Sequence, residues 1–542
     1  MSNSPSRRHL PPAGPSWSAS TATREDDCTT LSATANSLPE TLLAETHSAS
    51  RQQQGARNMR PGPVFEQLPE EILHYIHSLL TVQDAARAAC VSRGLLHAWR
   101  CYSHLKLNEH TLGLADKTVE EQKTYIIKKV DQILENHHNN RVKVETLKLR
   151  LVHGSYGHIK ASSLNRWLQI TVKSGIKKLD LSIPLQIKKE YNFPCAVLSD
   201  EAAASSIKSL HLHGCAFTPT SSLGILRRLT CLHLFSVRVT EEGLRFLLSK
   251  SPVLEKLDMY FCRGIVCLRI AFTLQQLKYL SLIHCTGLQS VQIDAPKLCS
   301  FRSDEIGILK EICLRNSSQL KNVDLSSIFF SDARARLPSI IPNVESLILQ
   351  SRQIVNISFP MQPSKFPYLK NLEIELHPAT MPFPPSHDIF SLVSFLDASP
   401  VLDSFILPVE QDATTPDLIS GEDDVYTKRK LEYRHDHLRK VLITWFCPSR
   451  SLVELTIHIL ESTASLERLT LDLTYGYDRR WGTVGRCPAS TKNGLCLSMS
   501  KKDLAGARRG VEIAGQYIVG RVPTNVQFEV LGPCTQCHSV ER

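Results

Sequence analysis

Long apolar runs and a secretory signal are missing from this chain of 542 residues. No window approaches the roughly 18 consecutive apolar residues that a membrane-spanning helix needs, so we expect no membrane insertion. The first residues lack the apolar core of a secretory signal, and the acidic cluster Glu25–Asp27 argues against a transit peptide. We therefore expect the protein in the cytoplasm, the nucleus or both.

The motifs of several common enzyme classes are missing as well. The chain has no G-x-x-x-x-G-K-[ST] phosphate loop, no G-x-S-x-G nucleophile elbow and no H-E-x-x-H zinc motif. Cys534-x-x-Cys537 is half of a zinc site, and neither Cys487 nor Cys496 completes it at the spacing of a known zinc module, which favours two free thiols. We predict no catalytic residue, no metal ligand and no cofactor. Four further histidines are interpreted as charged-loop residues: His137, His138, His435 and His437.

The cysteines bear on whether the protein contains disulfides, and the charges bear on which partners it could bind. Sixteen cysteines are scattered along the chain, and without a signal peptide they favour reduced thiols over disulfides. The net charge is +10, and between 479 and 510 eight Lys and Arg residues stand against Asp503 alone. A nucleic-acid face is one interpretation of this stretch. A solvated basic surface is favoured, because no aromatic residue is interleaved with these charges after Trp481.

A short helical module is predicted over residues 64–104. Leu68, Ile72, Ile76 and Leu79 recur at helical spacing, and Pro69 suits a first helical turn because its missing N–H would be unpaired there. A module this small cannot bury all its apolar groups internally. It is therefore expected to dock on another protein, although an amphipathic helix pair in an ordinary core would show a similar local pattern.

This stretch resembles the F-box in Leu68-Pro69-x-Glu71-Ile72-Leu73, in the Leu79-Leu80…Asp84-Ala85-Ala86-Arg87 centre and in Val91-Ser92-Arg93…Trp99. The sequence departs from the family at Thr81, where many members have Pro, and at Leu95, where plant members usually have Trp. The resemblance implies binding to a Skp-type adaptor and, through it, to a cullin. The adaptor-binding residues it implies are Leu68, Pro69, Ile72, Leu73, Ile76, Leu79, Leu80, Ala85, Ala86, Val91 and Trp99.

The segments around this module are predicted from composition and helical pattern. Residues 1–60 are rich in Ser, Thr, Pro, Ala and Gln without apolar periodicity and are expected to be disordered, and the F-box is placed at 64–106. Thr118-Val-Glu-Glu121 is a capping-box pattern, and an apolar helical face follows it from Ile126 to Leu134. A linker helix is therefore predicted within 107–142.

From about residue 143 the unit apolar-x-x-Leu-x-Leu repeats. Twelve units start at 144, 176, 207, 229, 254, 277, 320, 344, 369, 402, 438 and 466, and weaker ones at 288 and 298 fill a gap. The spacing and signature resemble leucine-rich repeats, in which stacked strands bury one another's leucines. Three cysteines that end units, Cys215, Cys262 and Cys285, are expected to pack as small apolar residues. The predicted fold class is α/β: a helical F-box followed by a leucine-rich-repeat solenoid over 143–475.

The end of the chain resembles plant members of the F-box repeat group. Residues 436–475 resemble the FBD element, with a helix predicted over 452–461 and the last strand over 466–473. The basic tail 476–542 is predicted to form a cap, and its Gly515–Pro523 segment resembles the ends of grass members.

The candidate substrate face follows from strand geometry. Alternate side chains of a strand point to opposite faces, so with Leu210 and Leu212 inward, His211 and His213 point outward. The same count gives the candidate substrate-binding set His211, His213, His233, Phe235, Asp258, Tyr260, Tyr279 and Ile283. The alternative is that an insertion or the C-terminal cap covers this row.

The two resemblances together imply the substrate-recognition subunit of a Skp–cullin–F-box ubiquitin ligase. Such a protein performs no chemistry itself, because it acts by holding a protein substrate near the ubiquitin-charged enzyme. A repeat scaffold without ubiquitin transfer is the alternative. The sequence identifies neither the substrate nor any small molecule that would bridge to it.

Overall fold

The structure is a computed structural model. It describes residues 68–533 except for 81, 101, 116, 152–158, 185–189, 305–310, 327–329, 352–363, 378–386, 411–433, 474–476, 479–481 and 484–500. The predicted disordered segment 1–60 and the Cys534–Cys537 pair therefore lie outside the described residues. Within the described ranges, none of the helices combines the length and the apolar character that a membrane span requires.

Three short helices form the F-box module: α1 (Glu70–Leu79), α2 (Val82–Ala89) and α3 (Arg93–Arg100). Helix α1 begins directly after Pro69, and Glu70 and Glu71 occupy its first turn, where negative charge is favourable. A small separate core joins α1 to α3 through Leu73, Leu95 and Ala98. The module thus has its own apolar centre and keeps the rest of its apolar side chains at or near its surface.

Helix α4 (Val119–Asn139) occupies the segment predicted as a linker. The Thr118 side chain accepts from the Glu121 N–H at 3.4 Å, and the Glu121 carboxylate accepts from the Thr118 N–H at 3.0 Å, so the predicted capping box is present. The strand His104–Leu107 precedes α4 and pairs in parallel with Thr146–Arg150. The repeat sheet therefore begins before residue 143, and α4 packs into the same core as the repeats.

Fifteen parallel strands form one continuous sheet among the described residues. Its strands are His104–Leu107, Thr146–Arg150, Lys178–Ser182, Ser209–His213, Cys231–Phe235, Lys256–Tyr260, Tyr279–Ile283, Ser300–Ser303, Asn322–Leu325, Ser346–Ser351, Asn371–Leu376, Ser404–Pro408, Lys440–Thr444, Arg468–Asp472 and Gln527–Leu531. The register aligns Leu210, Leu232, Leu257 and Leu280, all buried. Each of the twelve predicted units supplies one strand, which confirms the solenoid.

One of the two weaker units was wrongly assigned to this sheet. The unit at 298 supplies Ser300–Ser303, as predicted. The unit at 288 supplies Ser290–Asp294, which instead joins Cys267–Ile270 and Glu311–Arg315 in a separate parallel sheet. A run of alternating apolar residues suits either sheet, so the sequence pattern alone could not separate them.

Helices and short strands make up the rest of the described structure. Further α-helices are Ala161–Lys173, Glu201–Ser206, Glu241–Ser249, Phe330–Ile340, Val393–Asp397, Arg450–Ser462 and Lys501–Ile513. Shorter strands are Tyr191–Asn192, Cys215–Phe217, Arg238–Val239, Tyr477–Asp478 and Gly482–Thr483.

The three cysteines that end repeat units, Cys215, Cys262 and Cys285, are buried as predicted, and burial raises the pKa of the Cys215 thiol to about 12. That thiol is therefore protonated and unreactive at neutral pH.

The C-terminal region packs on the last repeats. The Arg450–Ser462 helix lies where the FBD-like helix was predicted, but Arg468–Asp472 is not the last strand, because Gln527–Leu531 pairs with it. On the Lys501–Ile513 helix, a Cβ added at Gly510 would lie 2.1 Å from Leu473 Cδ2, so a larger residue there would require the Leu473 side chain to shift. The described part of the tail thus extends the sheet by one strand.

Candidate adaptor face and candidate substrate face

Helix α1 carries an exposed apolar face. Ile72, Tyr75 and Leu79 are 45, 63 and 68% exposed, and their spacing of three and four residues places them along one side of the helix. Val91, between α2 and α3, is 74% exposed. Clusters of exposed apolar side chains mark interaction surfaces in soluble proteins. We call Ile72, Tyr75 and Leu79 the α1 face.

The structure distributes the eleven predicted adaptor-binding residues over three environments. Pro69, Ile72, Leu79 and Val91 are exposed, whereas Leu68, Ile76, Leu80, Ala86 and Trp99 are half-buried. Leu73 and Ala85 are buried inside the module, so the structure contradicts their assignment to the adaptor surface. The helical period predicts which apolar residues share one face of a helix. It does not predict which of these faces points outward in a three-helix module. Tyr75 was missed for the same reason.

Trp99 lies at the junction between the F-box and the repeats. Its ring stacks on Tyr102 with centroids 6.1 Å apart and meets His137 edge-on at 5.8 Å. A His137 ring nitrogen lies 3.1 Å from the Tyr102 carbonyl oxygen, which links α4 to the end of the F-box. Trp99 therefore packs within the chain, which makes it a poor adaptor ligand. His137 is buried in this junction, so its interpretation as a charged-loop histidine was wrong.

A continuous run of rings crosses neighbouring strands of the large sheet. The centroid distances are 4.5 Å from His213 to Phe235, 6.3 Å from Phe235 to Tyr260 and 5.4 Å from Phe235 to Phe261. The run continues from Phe261 to His284 at 4.7 Å. We call these five residues the aromatic ladder. Three of them, His213, Phe235 and Tyr260, belong to the predicted row.

Left-handed backbone explains how Phe261 and His284 join the ladder. Each residue directly follows the end of a strand and has a positive φ, 53° at Phe261 and 50° at His284. Side chains alternate only while the backbone stays extended, so the residue after the strand escapes the predicted alternation. The backbone N–H of His284 donates to Asp304 Oδ1 at 2.6 Å, and that of Phe261 donates to the Ile283 carbonyl at 2.8 Å. These bonds hold both residues in the left-handed region.

The eight residues of the predicted substrate-binding set differ in how far they are buried. His211, His213, His233, Phe235 and Tyr260 are half-buried. Ile283 and Asp258 are buried, so, contrary to the prediction, neither is available to a ligand. Asp258 lies 3.2 Å from Lys256 Nζ and 3.5 Å from His233 Nδ1, and its charge is thereby compensated. Tyr279 is exposed, but it aligns with Lys256 at the start of the strands, away from the ladder.

Burial disfavours the charged form of two histidines, His211 beside the ladder and His213 within it. Burial, reinforced by the neighbouring His233, lowers the pKa of His211 to about 4, and burial also lowers the pKa of His213. The His211 and His233 rings are 5.3 Å apart, so a charge on His233 would disfavour protonation of His211. Burial thus disfavours a positive charge on the two histidines nearest to Phe235 on the side of the preceding repeat.

Comparisons with known proteins come from family models and from individual proteins. A model of the F-box domain matches residues 65–103, and the model described as "At1g61320/AtMIF1, LRR domain" matches residues 133–535. An Arabidopsis thaliana protein, F-box protein At1g80960, is 23% identical over 307 residues, which are 54% of this chain and 58% of that protein. The chain thus spans less than two thirds of that relative's length.

A second Arabidopsis thaliana relative, F-box/FBD/LRR-repeat protein At1g13570, is 22% identical over 418 residues, covering 74% of this chain and 89% of that protein. Among solved structures, an internalin from Listeria monocytogenes covers 69% of this chain and 88% of its own, at 14% identity and a TM-score of 0.28. That structural similarity is too low to define the fold, which rests on the strand register above. The FBD-like interpretation of 436–475 stays a prediction.

Proposed function

Because the chain belongs to the plant F-box proteins that carry a leucine-rich-repeat domain of the At1g61320/AtMIF1 type, we propose that it is a substrate receptor of a Skp–cullin–F-box ubiquitin ligase. The α1 face binds the Skp-type adaptor, and the cullin is reached through it. The aromatic ladder binds the protein substrate. The receptor itself is not catalytic: it raises the local concentration of substrate lysines near the ubiquitin-charged enzyme.

The observation that carries the adaptor assignment is the exposure of Ile72, Tyr75 and Leu79 on one side of α1. F-box domains generally bind Skp1-type adaptors. Covering an apolar helix face of this kind with a partner is favourable, because it removes apolar surface from water. Full burial of an aliphatic side chain such as Ile72 or Leu79 contributes about 1.5–3 kcal/mol to the free energy of binding. We therefore assign Ile72 and Leu79 the central positions in this interface.

The observation that carries the substrate assignment is the partly exposed run of aromatic rings on the repeat sheet. Phe261 is 47% exposed although it contacts Phe235 and His284. Aromatic residues are enriched among binding hot spots. We propose that the ladder binds a peptide segment with apolar or aromatic side chains. The encounter takes place in the cytoplasm or the nucleus.

The adaptor assignment is tested by pull-down of a purified Skp-type adaptor with the full chain. Replacing Ile72→Asp together with Leu79→Asp is expected to weaken binding at least tenfold, since a tenfold loss requires only about 1.4 kcal/mol. Tyr368→Asp is the matched control, because Tyr368 is a similarly exposed apolar residue on the repeats. If both variants retain wild-type adaptor binding, the alternative of a repeat scaffold without a ligase is favoured.

A further inference from the structure

Three ligand-type side chains converge beneath the C-terminal repeats. Asp397 ends the Val393–Asp397 helix, His435 precedes the strand Lys440–Thr444, and His458 lies on the Arg450–Ser462 helix. Each offers one ligand atom, and these atoms all lie within 4.8 Å of one another. His435 had been interpreted as a charged-loop histidine, but it is buried, so that interpretation was wrong.

The two imidazoles lack the hydrogen bonds that buried polar groups normally have. His435 and His458 are only 6 and 9% exposed, and Nε2 of each has no hydrogen-bond partner among the described residues. Leaving such a group unsatisfied costs about 1–3 kcal/mol. Two buried imidazoles, each with an unsatisfied nitrogen and both clustered with one carboxylate, therefore form an arrangement that is costly unless a ligand completes it.

We propose that Asp397, His435 and His458 bind a zinc ion that ties the two helices to the segment before the strand Lys440–Thr444. Zinc–nitrogen and zinc–oxygen bonds of about 2.0–2.2 Å place neighbouring ligand atoms of a tetrahedral site roughly 3.3–3.6 Å apart. His435 Nε2 and Asp397 Oδ1 are 3.5 Å apart, which fits that geometry. A water molecule takes the fourth position, and the Asp397 side chain, 24% exposed, gives the ion and this water a route from solvent.

The three ligands are spread over 62 residues, from Asp397 to His458, in an order that matches no zinc module, so sequence spacing alone did not indicate this site.

The zinc content of the purified full chain tests this proposal. We expect one zinc ion per chain by plasma mass spectrometry, lost in His435→Gln and in His458→Gln. His387→Gln is the matched control, because His387 is also buried and its carbonyl accepts a hydrogen bond from Ser451 on the Arg450–Ser462 helix, but it is not one of the three ligands. A zinc content that stays at one per chain in both ligand variants would overturn the proposal.

Two measurements on the wild type keep the test decisive if the ligand variants unfold. Cobalt(II) bound at a site of two histidines and one carboxylate gives visible d–d bands without a sulfur-to-cobalt charge-transfer band. A strong charge-transfer band would instead locate the metal on thiols, such as Cys534 and Cys537, and would overturn the proposal. Metal bound only to the native state stabilises it, so chelation is expected to lower the melting temperature. A wild-type chain that neither contains nor is stabilised by zinc would also overturn it.

Discussion

At the residue scale, Phe261 combines an exposed ring with a strained backbone. A bulky residue with a φ of 53° occupies a region that L-residues avoid at a cost of about 1–2 kcal/mol. Such strain persists where the surroundings or a function require the side chain. The Phe261 ring makes two ladder contacts, with Phe235 and His284, and the residue is still 47% exposed. The ring thus has an exposed part that is open to a bound partner and a packed part that contributes to stability.

Phe261→Gly separates these two roles. Glycine adopts a positive φ without strain, so we expect the free energy of unfolding to stay within about 1 kcal/mol of wild type while substrate binding falls. Ser236→Gly is the matched control: Ser236 has the same backbone conformation one strand earlier, at φ 53°, and carries no ring. Urea unfolding and affinity capture measure the two effects. Unchanged capture by Phe261→Gly would place the substrate elsewhere, and a large loss of stability would make the ring structural.

The limits of sequence-based prediction also appear at this scale. Strand alternation correctly predicted that His213, Phe235 and Tyr260 share a face, because extended backbone has a fixed period of two residues. It missed Phe261 and His284, since the turn to left-handed backbone after a strand is set by bonds to the next repeat. It overestimated the exposure of Ile283 and Asp258, because the packing of neighbouring side chains on the sheet is not encoded in the strand itself.

At the scale of elements, the repeats were predictable and the ends of the sheet were not. Twelve units share a leucine pattern that stacking alone can satisfy. The first strand is His104–Leu107 and the last is Gln527–Leu531, and chain without that leucine pattern flanks each of them. The first is recognised as part of the sheet only by its pairing with Thr146–Arg150, and the last only by its pairing with Arg468–Asp472. The predicted helix of the FBD-like segment was recognisable from its own residues, whereas the meeting of Asp397, His435 and His458 depends on three separate elements.

The packing of Trp99 at the junction of α3 with α4 predicts the effect of removing its ring. We expect Trp99→Ala to lower the free energy of unfolding by about 2 kcal/mol, less than the 3–5 kcal/mol of a fully buried Trp because Trp99 is half-buried. Adaptor binding is expected to stay near wild type, since the ring packs on Tyr102 and His137. Chemical unfolding and adaptor pull-down check this. Loss of adaptor binding by a variant that is still fully folded would put Trp99 back in the interface.

At the scale of the whole molecule, the F-box and the repeats belong to one compact unit, Pro63–Arg542. The core that contains the repeat leucines also contains Leu105 and Leu107 and the buried face of α4, and Trp99 and Tyr102 pack against it. The α1 face and the aromatic ladder are therefore carried by elements joined through packed side chains rather than through an unstructured linker. A fixed connection of this kind favours proximity as a mechanism, because the effective concentration of the substrate depends on how firmly the two ends are held.

Ubiquitin transfer to captured proteins tests the central claim most directly. The measurement is affinity capture of the full chain from cells with the proteasome inhibited, followed by mass spectrometry of ubiquitin-modified peptides. Three forms are compared: wild type, Ile72→Asp with Leu79→Asp, and Phe261→Gly. The account predicts that the α1-face variant captures the same proteins without their ubiquitin, while Phe261→Gly loses those proteins. Equal ubiquitin on the proteins captured by wild type and by the α1-face variant would contradict it.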